Sequence, residues 1–159
     1  MVRDPTAPPA SHPGPERARL PARIVQELIG HARRADPNEA CGLILGSAPA
    51  AAGGRALRFE PTRNAAASPY RYEIDSKDLL RLTLEADDRD EVFWAIVHSH
   101  THTPARPSPT DIGLAFYPDS LYILVSLAET GDPGEPVPIV RAWRIVERNV
   151  FEVPLDVTV

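Results

Sequence analysis

His98 and His100, with one residue between them, stand at the end of EVFWAIVHSH (91–100), which reads as the most buried strand of the chain. Alternate residues of an extended strand share a face, so both imidazoles project to the same side while Ser99 points away. After seven intervening residues comes Ser108, and after two more Asp111. Two histidines and a carboxylate form a common zinc ligand set, and three protein ligands leave a fourth position for water, as a catalytic site requires. With Cys41 as the single cysteine, a cysteine-rich structural zinc site is excluded.

A plainer account fits the same residues. A His-x-His pair near a loop is often structural or solvated. Ser108-Pro109-Thr110-Asp111 also reads as a helix start, with Ser108 as N-cap and Asp111 three residues later. The two accounts are compatible, since the cap orders the turn that presents Asp111. The chemistry further needs a carboxylate that does not ligate the metal but takes a proton from water. Glu39, just ahead of an apolar strand, is a candidate, and spacing alone does not separate it from Glu73, Glu85 or Glu91. His102 falls in a loop, where exposure is the default. Cys41 on an apolar strand reads as a buried thiol, with a nucleophilic Cys–His pair as the alternative.

The elements that must position these groups follow from periodicity. Pro21 suits a first helical position, and Ile24, Val25, Leu28, Ile29 and Ala32 make one apolar face that ends before Pro37. ACGLILG (40–46) predicts a buried strand, SAPAAAGG (47–54) a loop, and ALRFE (56–60) its hairpin partner. Residues 62–69 read as irregular and YRYEI (70–74) as a strand. Asp75 and Asp78 open a helix to about Asp87. A buried strand follows over 91–100, then a loop over 101–109 and a short helix after Ser108. A buried strand over 121–127, a turn at GDPGEPVP (131–138) and strands over 140–146 and 149–155 complete the chain. The order αβββαβ(α)βββ predicts an α+β domain, with a mostly antiparallel or mixed sheet flanked by helices.

The Pro-rich segment 1–18 predicts a disordered tail, leaving 19–159 as one domain. The 159 residues carry a formal net charge of −5 and a single lysine, Lys77. No basic cluster stands out, so nucleic-acid or anionic-membrane binding is not expected. No apolar run nears the roughly 20 residues of a membrane span, and no signal-peptide core is evident. The expected location is cytoplasmic.

Glu39 followed by His98-Ser99-His100-x7-Ser108-x2-Asp111 resembles the signature of the JAMM (MPN+) zinc metalloproteases. PNEACGLILG around Glu39, the Asn64…Pro69-Tyr70…Asp75 stretch and PDSLYILVSL are similar too. The resemblance spans about residues 20–155. It implies a single MPN/JAMM (cytidine-deaminase-like) domain with a curved, helix-flanked sheet. It also implies one Zn2+ per chain on His98, His100 and Asp111, with Glu39 as general base and Ser108 as hydrogen-bond donor to the oxyanion. The family cleaves amide or isopeptide bonds after the C-terminal Gly-Gly of ubiquitin-like proteins. The compact chain and its HSHT-x-T segment look most like the bacterial sulfur-carrier-protein cysteine hydrolases. The expected partner is therefore a ubiquitin-like sulfur carrier. A deconjugase of ubiquitin-like modifiers and a non-catalytic MPN binding module are the alternatives. Many bacterial relatives read HSHP where this chain has Thr101 and His102.

Overall fold

The computed structural model describes residues 14–132 and 135–159. Strand β1 (Ala18–Pro21) leads into helix α1 (Ala22–Ala35), followed by the antiparallel pair β2 (Cys41–Gly46) and β3 (Ala56–Thr62). Helix α2 (Ser76–Arg89), strand β4 (Val92–His100), the short helix α3 (Pro109–Gly113) and strands β5 (Leu121–Asp132), β6 (Glu135–Val146), β7 (Asn149–Val153) and β8 (Leu155–Thr158) follow. Six strands form one sheet in the order β3-β2-β4-β5-β6-β7, and β1 pairs with β8 in a separate parallel ribbon. Within the large sheet only β4 and β5 run parallel. This is the expected mixed α+β architecture.

Both faces of the sheet are covered, as the unbroken apolar runs of β2, β4 and β5 require. Leu20, Ile24, Leu28 and Ala32 pack against Ile44, Val97, Ile123 and Val125 on one face. Leu43, Leu45, Ile96, Tyr122 and Leu124 form the other face, under Leu82 and Ala86 of α2. The register between β2 and β4 slips between Ile44 and Leu45, which puts the consecutive Trp94 and Ala95 both on the α1 side. Gly46 accommodates that bulge, since a Cβ there would lie 2.6 Å from the Trp94 ring.

Four expectations are corrected. Residues 70–74 do not form a strand; the β pairing of the segment is an isolated bridge from Asn64 to Ile74. The expected turn over 131–138 is shorter, because Asp132 already pairs with Glu135, with residues 133–134 outside the described residues. The expected last strand, 149–155, divides into β7 and β8. Of the expected tail, residues 1–13 lie outside the described residues. Its end is held: Ala18 begins β1, and Arg17 forms an ion pair with Asp156 at 2.6 Å.

Candidate metal centre

Strand periodicity puts His98 and His100 on the Ile96 side of β4, the side that faces α2 and α3. The β2–β4 register then locates the glutamate. Cys41 pairs with His98, so two residues earlier the chain sets Glu39 opposite His100. The antiparallel neighbour therefore begins where the histidine strand ends. The β4-to-β5 crossover carries Asp111 over the same sheet end. This is where parallel strands commonly open a site, at their carboxyl ends.

The 101–107 loop is fixed by its carbonyls and amides. Ser126 donates to the Thr103 carbonyl at 2.7 Å, and His100 Nδ1 meets the Pro104 carbonyl at 2.7 Å. Ala105 N–H donates to Glu129 at 2.7 Å, and the Trp143 indole donates to the Ala105 carbonyl at 3.0 Å. The loop delivers Ser108 and Asp111 into a complete capping box at the start of α3. Asp111 N–H donates to Ser108 Oγ at 3.1 Å, and Ser108 N–H donates to Asp111 Oδ2 at 2.8 Å. The capping account and the site account thus describe one geometry.

Asp111 Oδ2 lies 3.2 Å from His98 Nε2 and 3.1 Å from His100 Nε2, and the two Nε2 atoms are 3.2 Å apart. These edges make a nearly equilateral triangle. Ligands about 2.0–2.1 Å from a tetrahedral ion are spaced by about 3.3–3.4 Å, so the donor set fits such an ion. The tautomer of His100 agrees. A carbonyl only accepts, so Nδ1 carries the proton toward Pro104 and Nε2 presents its lone pair to the triangle. Two nitrogens and a carboxylate oxygen converging this closely could hold a metal ion. No other cluster of three such groups is found among the described residues, and His102 stays outside this one.

The charges respond accordingly. Burial opposes ionisation of Asp111, but the bonds from His100 and His98 outweigh it and hold its carboxyl well below the usual carboxylate range. Burial pushes His98 down, more strongly than Asp111 pulls it up. Burial also lowers His100, but the bonds to Asp111 and Pro104 win and raise it. Glu39, 4% exposed, is pushed up to about 7 by burial; His100 opposes the shift and Asp111 adds to it. Its Oε2 is buried without a hydrogen-bond partner among the described residues. A buried carboxylate with a free oxygen and a pKa near neutrality is suited to moving protons.

Three further residues buttress this cluster. Ser99, between the histidines, accepts the Ala40 N–H at 2.8 Å on the far side of β4. Asn64 donates to the Glu39 carbonyl and to the Arg71 carbonyl, each at 3.0 Å. Tyr72 stacks on His98, ring centroids 4.2 Å apart at 22°. One signal was available for Ser99: a hydroxyl on a fully buried strand must find a partner. Cys41 is settled by its surroundings. Burial raises its thiol to about 11, despite a contact with the Thr62 hydroxyl, so it is no nucleophile at neutral pH.

A family profile described as prokaryotic homologs of the JAB domain matches residues 21–146. The chain belongs to this JAB family. The CysO-cysteine peptidase of Mycobacterium tuberculosis is 42% identical over 136 residues, covering 86% of this chain and 88% of that protein. A desampylase of Pyrococcus furiosus is 29% identical over 112 residues, covering 70% of this chain and 69% of that one. A solution structure of a Desulfitobacterium hafniense protein superposes with a TM-score of 0.74 at 32% identity, over 89% of this chain and 92% of that one. The named relatives of this JAB domain are hydrolases, and the chain is a hydrolase of the same JAB/JAMM family. No helix among the described residues is long and apolar enough to cross a membrane.

Proposed function

We propose that this protein is a zinc peptidase of the cytoplasm. It hydrolyses the amide bond that follows the C-terminal Gly-Gly of a ubiquitin-like sulfur carrier and releases cysteine. The observation that carries the reading is the triangle of His98 Nε2, His100 Nε2 and Asp111 Oδ2, with edges of 3.1–3.2 Å. The similarity to the CysO-cysteine peptidase supports this choice of substrate.

His98, His100 and Asp111 hold the ion. When bound, it supplies a Lewis acid that eases deprotonation of water and polarises a carbonyl. Glu39 accepts the proton of the attacking water at its buried carboxylate and returns it to the leaving amine. Ser108 Oγ already accepts the Asp111 N–H, so its own hydrogen is left to donate to the negative oxygen developing on the scissile carbonyl. Asn64 and Ser99 fix the backbone on both sides of the Glu39–Ala40 peptide, so the base meets the water in one position.

The similarity to desampylase supports a second reading, cleavage of isopeptide conjugates of ubiquitin-like modifiers. A cleavage panel separates the two. Wild type and Glu39→Gln are given carrier-Gly-Gly-cysteine and carrier-Gly-Gly-lysine isopeptides, with metal content measured on both proteins. Preference for the cysteine conjugate, about one zinc per chain and an inactive Glu39→Gln that keeps its zinc are expected. Preference for the isopeptide replaces the substrate. Full activity in metal-free, folded protein overturns the mechanism.

A further inference from the structure

Segment 64–74 is not a strand but a strap across the metal centre. Each tie of its middle portion lands on a residue next to the chemistry. The Ser68 carbonyl accepts the Glu39 N–H at 2.9 Å. The Pro69 carbonyl accepts the Thr101 hydroxyl at 3.1 Å, one residue after His100. The Arg71 carbonyl accepts from Asn64, which also holds Glu39, and Tyr72 stacks on His98.

Tyr70 is the exception within this strap. Its backbone is anchored, the amide donating to Ser68 Oγ at 3.1 Å, yet its side chain is 77% exposed. Its ring meets the exposed His102 ring, centroids 5.8 Å apart at 36°. A large aromatic group kept in water forgoes the burial that normally stabilises it. This one follows directly on the Ser68 and Pro69 ties to Glu39 and Thr101, and its ring rests against His102, two residues beyond His100.

We propose that Tyr70 and His102 form the contact for the substrate's C-terminal tail and select glycine there. The inference rests on the proposed peptidase reading. A Gly-Gly tail offers no side chains, so it is recognised through its peptide planes and bare Cα atoms. Flat aromatic faces accept both at van der Waals distance. A Cβ would lift the backbone off the rings, so the contact discriminates against alanine.

The test uses the zinc-loaded full chain in the Glu39→Gln background, which retains uncleaved substrate. Binding of a labelled peptide ending Gly-Gly-Cys is compared with Tyr70→Ala, Tyr70→Phe and His102→Ala added. Tyr70→Ala and His102→Ala are expected to weaken binding by about three- to tenfold, while Tyr70→Phe keeps it. With Glu39 intact, Tyr70→Ala is expected to act mainly on KM and to narrow the preference for Gly-Gly over Ala-Gly tails, at unchanged zinc content. Tyr70→Ala with wild-type affinity and undiminished glycine preference overturns the inference and leaves the peptidase reading standing. A parent protein that neither binds nor cleaves the tail overturns both.

Discussion

Ser99 Oγ accepts the Ala40 N–H at 2.8 Å, and the Ser99 N–H donates back to the Ala40 carbonyl at 3.0 Å. The residue between the two histidines thereby fastens the peptide that carries Glu39. The histidine strand and Glu39 are built as one unit.

Ser99→Ala leaves the buried Ala40 N–H without its acceptor, at a cost of about 1–3 kcal/mol. Denaturant melts are expected to show that loss. Single-turnover rates should fall more than zinc content, because the base is displaced and the ligands are not. Equal loss of zinc and rate would contradict this coupling.

Glu39→Gln is expected to lower kcat by about 10²–10⁴ with metal retained, the usual worth of a proton-transfer group. Glu39 acts deprotonated, so the rate falls as pH drops through its pKa. In the metal-free protein that value is raised from 4.5 to about 7; a cation on the histidines favours the charged form and moves it down. The sign for stability is set by the same shift. The folded state binds the proton more tightly, so the Glu39 contribution is present below about pH 4.5 and is lost as pH rises through about 7. Metal-free Glu39→Gln should therefore lose less stability between pH 5 and pH 8 than wild type, in melts taken across that range.

Asp111→Asn keeps an acceptor for the Ser108 N–H but removes the negative charge from the triangle. Helix α3 should stay capped while zinc affinity collapses. Wild type gains about 2.7 kcal/mol when the ion is present at a hundred times its Kd, and Asp111→Asn should gain little under the same conditions. Thermal melts with zinc and with chelator measure the difference. In wild type the histidines must shed protons to ligate, so affinity weakens on acidification, and the raised His100 begins that loss earlier than an ordinary imidazole.

Ser108→Ala removes the acceptor for the Asp111 N–H, which costs about 0.5–2 kcal/mol of cap stability. It also removes the donor proposed for the reaction. kcat should fall by more than tenfold, and Ser108→Thr should restore most of the melting temperature. A Ser108→Ala enzyme with wild-type kcat would assign Ser108 to the cap alone.

Helix α1 is legible because one-sided burial imposes a period on it, as Ile24, Leu28 and Ala32 show, and the histidine strand and its β2 neighbour because burial on both faces makes them unbroken apolar runs. The choice of Glu39 was not legible from spacing. It depends on the pairing of Cys41 with His98, a contact between distant segments that no local pattern encodes. YRYEI looked like a strand because Tyr70, Tyr72 and Ile74 alternate, but two of them serve the site: Tyr72 against His98 and Tyr70 against His102. The stretch GDPGEPVP reads as a turn, yet its Pro136 and Pro138 lie within β6. The structure tolerates them because β6 there pairs with β5 alone, and β7 joins it only from Ala142 onward. The pairing of Ala18 with Leu155 was hidden behind the proline-rich composition of the preceding residues.

That last pairing bears on how the chain folds during synthesis. Strand β1 is completed only by β8, residues 155–158. During synthesis β1 is made well before β8 and lacks that partner until residues 155–158 have emerged. Leu20, which is fully buried in the finished protein, stays solvent-accessible or borrows cover from α1 until then. The β1–β8 ribbon therefore closes after β8 is made, whereas α1 has its other partners, Ile44, Val97 and Ile123, earlier.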